Sequence, residues 1–301
     1  MPIPALSPER PRTPDGDPHG WIDFAEFREL WIHTGTDCNL RCPTCFERSG
    51  PGNSRLEAPS PADITRYADD AMRLGVRQFG VTGGEPFVNK DILPLLEMLS
   101  ERAPCLVLSN GTRPLADCLP ALRPLARTRV ALRFRISLDY PDASRHDAGR
   151  GRGAFALALR TIGELLAMGF AVSAARRQEK NENADTVAAQ YQAVFAHANL
   201  PENMPLIAFP DLQRGDVPHI SEQCIRTYHT PESRREFMCA YSRMLVRRDG
   251  LMRLYACTLV DDDAAFDFGP KLGPALERET FLTHKRCFAC FAGGVSCSGT
   301  G

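Results

Sequence analysis

The sequence predicts an α/β fold: a partial (β/α)6 barrel on a parallel sheet, followed by a small Cys-rich C-terminal extension. Short β-rich runs alternate with stretches of helical periodicity from about residue 29 onward. Such alternation in series argues for a parallel sheet with outer helices. Six units are too few to close an eight-stranded barrel. After about residue 213 the alternation stops and Cys224, Cys239, Cys257, Cys287, Cys290 and Cys297 follow. The chain therefore divides into an N-terminal arm (1–28), an α/β core (29–212) and a Cys-rich extension (213–301).

The arm opens with MPIPALSPERPRTPDGDPHG, six prolines in twenty residues, and reads as extended or disordered. The expected strands are Leu30–His33, Gln78–Thr82, Leu106–Ser109, Arg133–Leu138, Ala171–Ala174 and Leu206–Phe209. Helical stretches lie between them near 61–74, 90–102, 114–126, 153–168 and 184–198. Arg214-Gly215-Asp216 and the stretch from Pro218 to Pro231 read as the linker to the extension.

Composition narrows the function classes. The formal net charge of −1 on 301 residues gives no global field toward nucleic acid. No apolar run reaches the roughly 18–20 residues of a membrane span, and the N-terminus has no apolar signal region. Eleven cysteines without an export signal point to metal ligation or redox chemistry in a reducing cytoplasm.

Chemistry concentrates at strand ends, where such sheets place their sites. After the first strand comes Thr36-Asp37-Cys38-Asn39-Leu40-Arg41-Cys42-Pro43-Thr44-Cys45-Phe46, a C-x3-C-x2-C loop. Three thiolates on one loop can hold three irons of a [4Fe–4S] cluster, leaving the fourth iron open to a small molecule. A zinc knuckle is the alternative, although zinc wants a fourth ligand nearby. After the second strand, Gly83-Gly84-Glu85-Pro86 offers close backbone approach and a carboxylate acceptor. Asn110-Gly111 ends the third strand, and Ser137-Leu138-Asp139 ends the fourth.

This series resembles the radical S-adenosylmethionine (SAM) superfamily over roughly residues 29–297. The resemblance implies that the open iron at Cys38, Cys42 and Cys45 chelates SAM, whose cleavage gives a 5′-deoxyadenosyl radical. It assigns Gly83, Gly84 and Glu85 to the SAM amino group. Asn110 and Ser137 fall to its ribose or carboxylate, and Asp139 to substrate. His146, Asp147, Arg150, Gly153 and Phe155 match a further family pattern after the fourth strand, and Arg176 or Arg177 can meet the SAM carboxylate. One departure is Thr44, where the family usually has an aromatic residue; here Phe46 follows the third cysteine instead.

The tail, with Gly250 between Cys239 and Cys257 and with Cys287-x2-Cys290, resembles the twitch or SPASM-like extension that holds a second [4Fe–4S] cluster. Two ligand sets are open: Cys239, Cys257, Cys287 and Cys290, or the same with Cys297 replacing Cys257. A four-Cys zinc ribbon is also open. The expectation adopted is Cys239, Cys287, Cys290 and Cys297 as ligands, with Cys257 as a catalytic hydrogen donor. Asp261 and Asp262 are expected at the barrel mouth, holding an amino sugar. The implied function is epimerisation of a sugar carbon, as in aminoglycoside-modifying members of the neomycin C epimerase kind. Dehydrogenation of an amino-cyclitol and modification of a ribosomally made peptide are the alternatives. Expected partners are a small-molecule substrate and an electron donor such as flavodoxin or ferredoxin, with no nucleic acid and no membrane.

Overall fold

The computed structural model describes residues 10–127, 131–213, 216–294 and 297. Residues 1–9 of the expected arm, and Arg214 and Gly215 of the expected linker, lie outside the described residues. The strands are β1 (Trp21–Ile22), β2 (Glu29–His33), β3 (Gln78–Thr82), β4 (Cys105–Ser109), β5 (Leu132–Ser137), β6 (Ala171–Arg177), β7 (Leu206–Phe209), β8 (Ser242–Arg248), β9 (Leu251–Tyr255) and β10 (Thr280–Phe281). The main sheet has eight strands in the order β7-β6-β5-β4-β3-β2-β8-β9. From β7 to β8 every neighbouring pair is parallel, and β9 turns back antiparallel on β8. The six expected core strands are present, in the parallel open sheet of the partial-barrel fold.

The central strand β2 is buried at all five positions, as a parallel strand covered on both faces must be. Its Trp31 indole N–H donates to Glu29 Oε2 at 2.9 Å, so the buried ring keeps a polar partner. The crossover helices are α1 (Pro61–Arg73), α2 (Ile92–Ser100), α3 (Arg113–Leu122), α4 (Ala143–Arg150), α5 (Ala154–Ala167) and α6 (Ala184–His197). A capping box starts α1: the Ser60 hydroxyl accepts from Asp63 N–H while Asp63 takes the Ser60 N–H. Three crossovers end alike, with Gly75, Gly169 and Asn199 at positive φ. In each, the next residue's N–H reaches back to the last turn, as Val76 N–H does to the Ala71 carbonyl at 3.0 Å.

Two expectations need correction. The extension does not stand apart from the sheet, because β8 pairs in parallel with β2 from Glu29↔Ser242 to Ile32↔Leu245. The strand Ser-Arg-Met-Leu-Val-Arg-Arg lacks a β/α crossover of core type, so the alternation does not reveal it. Asp249 and Gly250, with φ of 51° and 73°, form the hairpin turn to β9, a two-residue turn that needs left-handed backbone. The described part of the arm is also packed. Ile22 and Phe27 are buried, β1 pairs with β10, and Ala25 N–H donates to the Ala240 carbonyl at 2.8 Å. Burial of these apolar side chains outweighs the disorder that the proline content suggests. Among the described residues no helix is long and apolar enough to cross a membrane.

Candidate functional site

The Cys38–Cys45 loop leaves β2 and is stitched back onto the sheet. Thr36 N–H donates to the Leu56 carbonyl at 3.1 Å, and Asp37 Oδ1 accepts from Gly52 N–H at 2.9 Å. Gly83 and Gly84 let the end of β3 pack against the chain's own loop. A Cβ on Gly84 would meet the Asp37 carbonyl oxygen at 2.2 Å, and one on Gly83 would meet Thr34 Oγ1 at 2.5 Å. The end of β3 therefore lies directly against the cysteine loop, which no larger residue permits. Asn39 ties the same loop to the third strand end, because its Oδ1 accepts from Asn110 at 2.9 Å and its amide donates to Thr112 at 3.0 Å.

Cys38, Cys42 and Cys45 line one cavity of about 240 Å³ at the carboxyl ends of the strands, with Gly83, Gly84, Asn110, Ser137 and Asp139 on its walls. Burial pushes the Cys38 thiol up to about 11, and the Leu40 N–H on its sulfur only partly offsets this. Three thiols and a cavity beside them fit a [4Fe–4S] cluster with one open iron.

Glu85 is placed differently from its expected role. Its side chain is buried outside the cavity lining. Its carboxylate accepts from Asn110 N–H at 2.8 Å, Ser109 Oγ at 2.9 Å and Phe87 N–H at 3.2 Å. Glu85 thus braces two strand ends, with two donors on Oε1 and one on Oε2. Burial raises it to about 7 despite these donors.

The pattern after β5 resolves into distinct tasks. Arg150 grips Asp139 through two bonds of 2.7 and 2.9 Å, and Arg150 holds the acid below its ordinary range although burial opposes this. His146 Nδ1 accepts the Asp139 N–H at 3.2 Å; burial lowers His146 to about 4, so the ring is neutral. Asp147 accepts from Gly153 and Phe155 N–H and caps α5. Arg176 pairs with Glu182 at 2.6 Å, and Arg177 with Asp211 at 3.6 Å; both arginines line the cavity. Phe46 and Thr44 line it too.

The tail cysteines are distributed the other way round from the adopted expectation. Cys239, Cys257, Cys287 and Cys290 converge on a second, much smaller cavity of about 20 Å³. Burial first, and then the neighbouring thiols, drive Cys257 and Cys290 far above the ordinary thiol range. Four convergent thiols fit a saturated cluster better than a zinc ion, since no three of their sulfurs come within 4.8 Å of one another as the donors of a single ion must. Cys297 instead lines the strand-end cavity with Cys38, Cys42 and Cys45. Its sulfur is 3.2 Å from Thr258 Oγ1, its N–H donates to Met238 Sδ at 3.3 Å, and Arg135 holds its carbonyl. Linear spacing leaves the two sets open; in the structure Cys257 lines the smaller cavity with Cys239, Cys287 and Cys290, and Cys297 lines the larger one.

Asp261 and Asp262 do not face the strand-end cavity. Asp261 is fully buried, 2.7 Å from Arg55, which also holds Glu47 at 2.8 Å. Burial and then Glu47 raise Asp261. His33, Glu47 and Asp261 bring ligand-type atoms within 4.8 Å of one another. His33 Nδ1 accepts the Gly35 N–H, however, so its Nε2 carries the proton toward Glu47 and is no metal ligand. Asp262 is gripped by Arg286 at 2.8 and 2.9 Å and by His284 at 3.2 Å. Residues missed in the sequence are Arg135, Thr258 and Arg286. An arginine directly before Cys287 was the available signal.

Residues 32–176 match the family model described as the Radical SAM superfamily. The chain is 32% identical over 136 residues to the GTP 3′,8-cyclase of Ectopseudomonas mendocina (strain ymp), covering 44% of this chain and 40% of that protein. It is 34% identical over 142 residues to the mycofactocin maturase MftC of Mycobacterium ulcerans (strain Agy99), covering 44% and 35% respectively. The matches thus span less than half the length of either relative. Among solved structures, Streptococcus suis SuiB bound to S-adenosylmethionine has a TM-score of 0.59 at 14% identity, covering 84% of this chain and 64% of that one. The enzyme named anSMEcpe, solved with bound AdoMet, has a TM-score of 0.57 at 13% identity, covering 87% and 82%. These structures share the fold.

Proposed function

We propose that this chain, whose residues 32–176 match the Radical SAM superfamily model, removes a hydrogen atom from a small polar substrate and returns one from Cys297, inverting a carbon centre. The observation that carries this reading is the Cys297 thiol on the wall of the cavity that also holds Cys38, Cys42 and Cys45. A [4Fe–4S] cluster with SAM, when bound at those three cysteines, supplies the 5′-deoxyadenosyl radical. Gly83 and Gly84 leave backbone room beside it, while Ser137 and Asn110 present polar groups to the same space. Asp139, fixed by Arg150, is the acid on the cavity wall. Thiol donation breaks the Cys297 S–H bond and forms the new substrate C–H bond, leaving a thiyl. That thiyl needs one electron and one proton, which we assign to an external flavodoxin or ferredoxin acting through a [4Fe–4S] cluster at Cys239, Cys257, Cys287 and Cys290. A reducing cytoplasm is the compartment that suits eleven thiols.

The amino-sugar assignment loses its support, since Asp261 and Asp262 are spent on ion pairs elsewhere. The substrate class is therefore left at a small polar molecule. Modification of a peptide is a second reading, favoured by similarity to the mycofactocin maturase and to SuiB, which has been solved bound to the precursor peptide SuiA.

Alkylation tests the thiol assignment without knowledge of the substrate. In cluster-loaded protein, iodoacetamide should label Cys297 but spare Cys257, and SAM should slow the labelling of Cys297. Labelling of Cys257 with protection of Cys297 would restore the opposite assignment. With a turned-over substrate in D2O, one deuterium at the inverted carbon supports epimerisation, and a product two mass units lighter supports dehydrogenation instead.

A further inference from the structure

We propose that Arg286 is a positioning residue for the four-cysteine site, its Nε–H donating to the sulfur-rich centre that those cysteines hold. This rests on the reading of that site as a [4Fe–4S] cluster. Arg286 directly precedes Cys287, is only 4% exposed, and lines the small cavity with the four cysteines. A guanidinium has five N–H donors. Nη1 reaches the Leu259 carbonyl at 2.6 Å and Asp262 Oδ1 at 2.8 Å, while Nη2 reaches Asp262 Oδ2 at 2.9 Å and the Phe46 carbonyl at 3.0 Å. Those four bonds use every terminal proton. The fifth donor, Nε–H, is buried and has no acceptor among the described residues. A buried donor without a partner is costly, and the acceptors absent from this protein-only environment are the sulfurs of a bound cluster.

Asp262 neutralises the guanidinium, so the directed N–H is what Arg286 offers the site. Hydrogen bonds to cluster sulfurs are among the determinants of its reduction potential. They favour the more negative, reduced form. The same side chain also holds the carbonyl next to Cys45, and its guanidinium carbon lies 5.1 Å from the Phe46 ring centroid. One residue thus touches the surroundings of both cysteine sites. The other buried arginine nearby, Arg243, spends its donors on the carbonyls of Ala275, Cys239, Ser242, Ala256 and Arg278.

The test uses the full chain with Cys38→Ala, Cys42→Ala and Cys45→Ala, so that only the tail centre is paramagnetic when reduced. In protein labelled with ¹⁵N-arginine, pulsed EPR should detect an arginine nitrogen coupled to that centre, and Arg286→Lys should remove the coupling. Arg286→Lys should also make the tail centre harder to reduce, by about tenfold in the one-electron equilibrium, or about 59 mV. Absence of the coupling in the Arg286 protein overturns the inference even if the Lys variant does not fold. A coupling that survives Arg286→Lys, with an unchanged potential, assigns it to Arg243 and also overturns the inference. Zinc in place of iron at the tail would instead sink the cluster reading on which it rests.

Discussion

The two cysteine sites are made from the same side chain in opposite ways. Cys38, Cys42 and Cys45 come from one short loop, supply three thiols and border an open cavity of about 240 Å³. Cys239, Cys257 and the Cys287–Cys290 pair come from three separate parts of the tail, supply four thiols and line about 20 Å³. Three ligands leave one iron of a four-iron cluster free for a reacting molecule, whereas four leave none. A cofactor at the first site can do chemistry, and one at the second can only pass or store electrons or hold the chain together.

The largest effect should come from removing the open site. Cys38→Ala, Cys42→Ala and Cys45→Ala together should abolish 5′-deoxyadenosine formation under dithionite and remove about four irons per chain. Survival of that activity would end the distinction. At the four-cysteine site, Cys287→Ala with Cys290→Ala should remove about four irons of roughly eight and leave substrate-independent SAM cleavage in place. Loss of both sets of iron from this variant would mean that the sites are one structural unit.

Glu85 gives a titratable handle on the open site alone. Its folded value of about 7 lies above its ordinary value of 4.5. Between those values the native state holds a proton that the unfolded chain has lost, so stability should fall as pH rises through that window. The effect is at most about 3 kcal/mol, and Glu85→Gln should flatten the dependence in denaturant melts at pH 4.5 and 7. The smallest expected effect belongs to Asn39→Ala, which cuts the bonds from the cysteine loop to Asn110 and Thr112. A stability loss of about 1 kcal/mol should accompany faster chelation of the barrel iron, with tail iron unaffected.

What the sequence made legible follows the same division. The loop cysteines, Gly83-Gly84 and the six core strands are local patterns, and their partners are fixed by the topology of a parallel sheet. The tail is not local. Whether Cys257 or Cys297 completes the four-thiol set depends on where residue 297 lies relative to Thr258 and Met238, which spacing alone does not encode. Glu85 and Asp261 fail for a related reason. A carboxylate is read as ligand-facing by its neighbours in sequence, but its donors, Ser109 and Asn110 in one case and Arg55 in the other, arrive from distant segments. Arg135 lies at the cavity it helps to line, but it continues the alternation Leu132-Arg133-Phe134-Arg135-Ile136, so nothing local marks it as part of the site.

The pairing of β8 with β2 ties the order of synthesis to the order of assembly. β2 is fully buried, yet one of its edges has no partner until Ser242–Leu245 has been made. At ~5–20 residues per second the wait after β2 is on the order of 10–40 s. During that time the nascent chain presents Glu29-Leu30-Trp31-Ile32 as an unpaired, apolar strand edge, the kind of template on which chains aggregate. A chain that stops before residue 242 never covers it. Nonsense and frameshift products that end between residues 213 and 241 should therefore be insoluble rather than merely inactive, although every residue of the core motifs is present in them.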